Sequence, residues 1–509
     1  LSSSFFDAAD LIEYQINEKI NLTNYKADAI IMQAFVFILH QEEEDMQKKV
    51  LLYPLALGLA LSPIFANGSS EAKQEGPRTV KISVWTREGD TNHWRADLAK
   101  EAAVDLNKQL AAEGKDITID PEPYIDGGDW GGFKKKYALA ADSGEAPMIV
   151  ISGHEDIATW GPAGYIVPFG DSVNAVEKLA PQFSDIKDNL WHCVTWNNKI
   201  WGIPQDCEAR PMFFNKTLLK QMGWTDAQVA ALPQELADGS FTQEDLIATA
   251  EEAVKKGVVK QGYGYWHRPL KGGDFIQFYV TNGGHIYDAE ENKLIIERDP
   301  LIKCYEFQKK CVDTGITPKS YIGTEWNIWH NAVANNQVLF FNGGTWMWAD
   351  WAKNYAKGGE DALFKNIGYG YEPTGIKGVP GTTLSHPLAY LVSSPSACGS
   401  KDQDLAFRLI GLMETTERNT RHAVESGHLG VLKSQDTYKT YEDSKFLSSC
   451  APLLQNNFFQ PNHPMYGIWF DSFWTNLVSA EQGEKTPQQA ADDCIKTMKA
   501  DIGDQLIVR

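Results

Sequence analysis

Several tryptophans in this chain stand beside charges. Trp130 follows Asp129, Trp266 lies two before Arg268, Trp346 and Trp348 run up to Asp350, and Trp469 lies two before Asp471. Each stands in a loop or at a predicted helix start. An indole face next to a carboxylate or guanidinium suits a ligand with weakly polarised C–H faces and a rim of hydroxyls, as in a sugar or polyol. Any one of these indoles also fits an ordinary core. Tyr466, in the aromatic stretch before Trp469, joins the ligand-binding candidates. The polar candidates are Arg87, Glu88, Asp126, Glu155 and Asp156, all just past predicted strand ends, where a solvated loop charge is the plainer reading. Glu208 and Arg210 lie in the charged run 206–210, and Arg210 can pair in bidentate fashion with two hydroxyls or with a neighbouring carboxylate.

Catalytic patterns are missing. There is no G-x-S-x-G elbow, no H-E-x-x-H, no Walker loop and no G-x-G-x-x-G after a strand. Carboxylate pairs of the glycosidase kind could be drawn from many Asp and Glu, so they carry no weight. The seven Cys are odd in number, with no C-x-x-C and no His at zinc-finger spacing, so neither a metal nor a cofactor is expected. Cys304 and Cys311 are about 10 Å apart along a predicted helix, too far for a disulfide. Cys193 and Cys207 flank a predicted hairpin, and their pairing is the less favoured reading.

The elements that must position these residues begin with alternating strands and helices. Strand 79–85, helix 92–110 with Asp90 or Asn92 as its cap, strand 116–121, helix 130–141 and strand 147–152 predict a parallel sheet with helices on its faces. Ligands sit beyond the carboxyl ends of such strands, which selects loops 85–90, 124–130 and 152–156. Asn197 and Asn198, between short runs rich in Trp, Val, Thr and Ile, predict a tight hairpin. Gly202 and Pro204 then end its outgoing strand, and the polar run 206–210 leads to the apolar run 212–214. Further on, 242–256 reads as a helix opened by a capping box of Thr242 and Asp245, with helices at 275–282 and 300–314. A buried strand ending at Asn342-Gly343-Gly344 runs directly into an aromatic helix start.

A length of 509 residues predicts two or three lobes or domains, two being the first expectation, and 43% hydrophobic with 22% charged residues is ordinary globular usage. A formal charge of −20 repels phosphate backbones and anionic lipid, so nucleic-acid and membrane-surface functions are disfavoured. Residues 1–45 read as an upstream segment outside the native protein, and 46–68 has the basic start, apolar middle and small-residue end of a secretory signal peptide. No Cys follows that apolar run, so no lipid anchor is expected there. Residues 69–78 read as a disordered polar leader.

The order hairpin, Gly202-Ile203-Pro204, polar run, apolar strand, Asn215-Lys216 resembles the inter-lobe crossing of sugar-type extracytoplasmic solute-binding proteins of ABC importers, the family 1 group that includes maltose-binding protein. That family carries a strand followed by Asn-Gly-Pro-Trp; here Gly344 and Thr345 replace the Pro, one residue longer, before Trp346. Segments 369–373, 386–393 and 428–433 resemble its later crossings and return strand, and the tail with Gly483-Glu484-Lys485 resembles its closing helices. The resemblance covers 79–509. It implies an α/β, two-lobed periplasmic-binding-protein-like fold with discontinuous lobes, 79–205 with 373–431 and 206–372 with 432–509, joined by about three crossings. It also implies a non-enzymatic monomer in the periplasm or otherwise extracytoplasmic, closing by hinge motion on a carbohydrate or polyol and delivering it to membrane permease subunits. In that family the loop after the third strand carries charged contacts, a role falling on Glu155 and Asp156, while Glu208 contacts ligand or lines the hinge. The rivals are a secreted glycoside hydrolase and a ligand-binding sensor with no importer.

Overall fold

Alternation along Arg78–Arg87 turns Val80, Ile82 and Val84 into the core and Thr79 and Lys81 outward, and this strand founds the first sheet. The computed structural model describes residues 76–87, 89 and 92–509. The upstream segment, the signal peptide, most of the leader, Glu88 and the cap candidate Asp90 therefore lie outside the described residues. The sheet order is Ile117–Asp126, Arg78–Arg87, Ile149–Gly153, Leu388–Ser393 and Ile166–Val167, and Ile203–Asp206 also pairs with Leu388–Ser393. The first three strands are parallel, as the alternation predicts, and the register sets Arg87 opposite Asp126 at their carboxyl ends. Leu388–Ser393 returns antiparallel beside Ile149–Gly153. Both are buried along their whole length, which explains why they read as unbroken apolar runs.

A second sheet has the order Ile367–Gly370, Met212–Asn215, Phe340–Asn342 and Tyr265–Trp266. A small third one, Tyr287–Asp288, Lys293–Ile296 and Leu506–Val508, ties down the carboxyl terminus. Three segments run between the elements packed around the first sheet and those packed around the other two. Residues 207–211 join Ile203–Asp206 to Met212–Asn215, residues 371–387 lead from Ile367–Gly370 back to Leu388–Ser393, and residues 427–465 connect Thr416–Ser426 to Tyr466–Glu481. They are bound to one another. Cys207 and Leu429 exchange backbone hydrogen bonds of 3.1 and 2.7 Å, and Thr383–Ser385 pairs in parallel with Asn457–Phe459.

Local chemistry accounts for several boundaries. Asn197 and Asn198 have φ of 50° and 57°, the two successive positive values of a type I′ turn, between Thr195–Trp196 and Lys199–Ile200. The run before the turn is shorter than alternation suggests, because Asp188–Val194 winds into a 3-10 helix and buries Trp191, Cys193 and Val194. Helix Gln243–Lys255 opens on the expected reciprocal cap of Thr242 and Asp245. Helix Trp94–Ala112 departs from expectation: His93 holds the cap position, its side chain meeting Asp97 at 3.0 Å rather than capping a backbone N–H, and Asn92 supplies only its backbone carbonyl, to Arg95 N–H at 3.2 Å. All seven Cys are free, and Cys207 Sγ lies 2.9 Å from Ser385 Oγ instead of bonding Cys193. Among the described residues no helix is long and apolar enough to cross a membrane.

Candidate functional site

The chain leaves Ile149–Gly153 into a short 3-10 turn, His154–Asp156, just beyond the strand's carboxyl end. Gly153 leaves room for the Glu155 carboxylate to fold back, since a Cβ at that position would lie 2.2 Å from Oε2 as it is placed. The folded-back carboxylate accepts from Lys134 Nζ at 2.7 Å through Oε1 and faces His386 Nε2 at 2.7 Å through Oε2. Lys134, from helix Trp130–Ser143, also meets Asp156 at 2.9 Å. Burial works to raise both carboxyls. In Glu155 the His386 and Lys134 charges outweigh it and hold the group well below its ordinary range. In Asp156 burial wins, reinforced by Glu155 and opposed by Lys134.

Arg210, at the far end of the first crossing, gathers the opposite side. It donates to Glu208 Oε1 through Nε at 2.7 Å and Nη2 at 2.5 Å, and to Asp274 Oδ2 through Nη1 at 2.8 Å. Arg268 Nη1 reaches the same Asp274 oxygen at 2.6 Å. The two guanidiniums overcome the burial of Asp274 and hold its carboxyl at about 2. Burial pushes Glu208 up, with Arg210 opposing. Trp346 lies under Arg210, its ring 5.3 Å from the guanidinium carbon, and stacks on His428 at 6.2 Å with planes 14° apart. Its aim depends on Gly344, where a Cβ would stand 1.6 Å from the indole. Arg268 similarly covers Trp326 at 5.1 Å. The Tyr466 hydroxyl feels both Glu155 and Arg210 and is raised by burial. Glu155, Asp156, Glu208, Arg210, Arg268, Trp346 and Tyr466 are thus drawn together from both lobes and the crossings.

Other predicted residues lie elsewhere. Arg87, Asp126 and Trp130 form a group at the carboxyl ends of the first two strands: the Arg87 guanidinium lies 5.5 Å from the Trp130 ring, and Asp126 accepts from Lys136 at 3.1 Å. Trp266, Trp348 and Trp469 are buried and occupied by protein, against their expected role as ligand platforms. Trp266 bonds Gly262 O at 2.6 Å, Trp348 stacks on Phe446 at 4.2 Å, and Trp469 bonds Ile295 O at 2.9 Å with Phe473 on its face. Helix and strand periodicity turned these three indoles inward, which a neighbouring charge in sequence does not reveal. Lys134, His386, Asp274 and Trp326 are central here and were not singled out from sequence. Lys134 stood inside the predicted helix 130–141 and His386 at the very start of the segment 386–393, neither with a role assigned.

A second network braces the crossings. Arg95 donates to Asp206 Oδ2 through Nε at 2.9 Å and Nη2 at 2.6 Å, and His422 Nε2 meets the same oxygen at 2.7 Å. Arg95 Nη2 also donates to His428 Nε2 at 3.2 Å, while His428 Nδ1 lies 2.9 Å from Ser426 Oγ. A cavity of about 680 Å³ opens away from all these charges, every lining residue coming from 214–237, 364–371 or 449–455. With nothing from the first sheet in its walls, it does not share the junction where the polar groups converge.

Two sheet-based lobes, three crossings and a polar and aromatic junction between them define a two-lobed α/β binding protein. The chain belongs to the bacterial extracellular solute-binding protein family, whose model matches residues 96–418. As a member of that family it is an extracellular solute-binding protein, a class that leaves the hydrolase alternative without support. Its fold is similar to the maltose-bound MalE3 of T. maritima, with TM-score 0.64 and 15% identity over 83% of this chain and 100% of that one. It is similar also to a cyclic α-maltosyl-1,6-maltose binding protein of Arthrobacter globiformis, with TM-score 0.61 and 18% identity over 84% and 99%. A third likeness is a solute-binding protein of Thermotoga lettingae bound to α-D-tagatose, with TM-score 0.57 and 17% identity over 82% and 99%.

Proposed function

We propose that the protein binds a carbohydrate or polyol at the junction of its lobes, closes on it by hinge motion, and delivers it to the permease subunits of an ABC importer. The observation carrying this reading is the meeting of Trp346, Arg210, Glu208, Glu155 and Tyr466 from both lobes and the crossings, an aromatic face ringed by hydrogen-bonding groups. The charges there are paired with one another, which favours a neutral polyhydroxylated ligand over a charged organic one. Glu208 and Arg210 take hydroxyls, and Trp346 takes a ring face. The lobes are 79–205 with 373–431 and 206–372 with 432–509, the protein acts as a monomer, and export follows the signal at 46–68 to a periplasmic or otherwise extracytoplasmic location. The maltose and tagatose held by the structural relatives support the ligand class.

Thermal-shift screening against a library of sugars and polyols tests this. A true ligand raises the melting temperature progressively with concentration, because it binds the native state by mass action. A library of mono- and oligosaccharides and polyols that leaves the melting temperature unmoved at millimolar concentration overturns the ligand class.

A further inference from the structure

We propose that His154, Glu155 and His386 hold a divalent transition-metal cation of the zinc type at the junction of the lobes. The absence of zinc-finger spacing in the sequence does not bear on this site, because His386 and Glu155 are 231 positions apart and only the fold unites them. One ligand atom from each of the three residues lies within 4.8 Å of the others.

The argument turns on His154. Asn462 donates through Nδ2 to Cys193 O at 2.7 Å, which fixes its Oδ1 toward His154 Nδ1 at 3.0 Å. An amide oxygen only accepts, so His154 carries its proton on Nδ1 and a lone pair on Nε2. That Nε2 is fully buried and has no hydrogen-bond partner among the described residues. A buried acceptor left unpaired is costly. Metal-binding imidazoles have this same form, with one nitrogen donating to an oxygen and the other presented bare. Glu155 is prepared in a similar way, since Lys134 engages Oε1 and leaves Oε2 toward His386.

Two imidazoles and one carboxylate suit zinc, cobalt or nickel, whereas calcium and magnesium ask for all-oxygen shells. Zinc bonds of about 2.0–2.2 Å set ligand atoms roughly 3.4 Å apart, so Glu155 Oε2 and His386 Nε2, 2.7 Å apart, must part slightly while the His154 ring, within 4.8 Å of them, draws in. Charge allows it. Lys134, Arg210, Arg268 and protonated His386 balance four carboxylates, Glu155, Asp156, Glu208 and Asp274, so that release of the His386 proton leaves one net negative charge facing the metal. The metal replaces the proton that His386 Nε2 shares with Glu155, and that proton leaves to solvent. Glu155 and His386 are each 19% exposed, so a water or ligand oxygen can complete the shell from their side. The other comparable cluster, Asp206, His422 and His428, is different: the Arg95 guanidinium already stands among its ligand atoms.

The test is run without sugar, so that it bears on the metal alone and leaves the ligand reading untouched. Chelator-treated protein is dialysed against Zn²⁺ or Co²⁺, and bound metal is measured by mass spectrometry, calorimetry and the visible d–d absorption of Co²⁺. We expect one equivalent in the wild type. His154→Phe, which keeps a ring in the space, and Glu155→Gln should each weaken binding at least about 100-fold, and the positioning variant Asn462→Leu about 10–100-fold. His422→Gln should bind as the wild type does. Sub-stoichiometric metal in the wild type, or wild-type affinity in folded His154→Phe and Glu155→Gln, overturns the site.

Discussion

Arg210 balances two carboxylates at once, with Glu208 and Asp274 both buried against it. Truncating it leaves Glu208 uncompensated and Asp274 with Arg268 alone, and Arg210→Ala is expected to lower stability by about 3–5 kcal/mol, read from urea denaturation of the unliganded protein. A loss under about 1 kcal/mol would mean that water solvates those carboxylates and that the junction is open to solvent. Trp346 should behave in the opposite way. It is half-buried and stacked on His428, so Trp346→Ala should fold normally yet bind ligand more weakly by about 1–3 kcal/mol, measured by calorimetry. If that variant unfolds while a residual folded fraction binds normally, the indole is a core residue. Sequence reading reached the aromatic and charged character of the site because residue types announce it. Sequence alone could not sort Trp346 from Trp348, two positions away on one short helix start, where a rotation of about 200° separates a junction indole from one stacked on Phe446.

At the scale of elements, the hairpin around Asn197 and Asn198 was legible because two successive positive-φ residues tolerate few side chains. Asn198→Ala should therefore cost about 1 kcal/mol, while Asn198→Gly should cost nothing or stabilise slightly. Equal effects of the two would place the turn in another conformation. The parallel βαβ start and the Thr242 cap were legible for the same reason, since their determinants are local. The crossings were recognised by resemblance and not by periodicity: Leu388–Ser393 enters the first sheet from far along the chain, and only long-range pairing puts it there. Their bracing network makes a pH prediction. Burial, helped by Arg95 and opposed by Asp206, holds His428 down at about 3, and burial lowers His422 too. An unfolded histidine titrates near about 6.5, so below that pH the unfolded chain takes up protons that the native one refuses. Stability is then full above about pH 6.5 and falls as the pH drops, by at most about 1.4 kcal/mol per pH unit for each histidine. Asp206, depressed by Arg95 and the histidines against its burial, adds a loss only below about pH 3.9, outside that window. His428→Gln should flatten the slope between about pH 6.5 and 4.5 in denaturation series. An unchanged slope would show that His428 is protonated in the native state.

At the scale of the whole molecule, the segments between the lobes are tied to one another and to their neighbours, with Cys207 bonded to Leu429, Arg210 N–H to Thr383 Oγ1 at 2.8 Å, and Thr345 N–H to Ala209 O at 3.0 Å. In the proposed closure these segments are the hinge. A ligand shifts an open-closed equilibrium only as far as it binds the closed form better, and Trp346, Glu155 and Tyr466 make that difference only if they contact ligand together. Small-angle scattering of the protein should therefore show a smaller radius of gyration on saturation with the sugar found by thermal shift. Glu208→Gln keeps size and one acceptor but frees Arg210 from a charge partner. It should need more ligand to reach the same compact profile, without changing the compact profile itself. A wild-type profile unchanged at saturation would mean that the lobes do not close, and residues 207–211 would then be a rigid strut rather than a hinge.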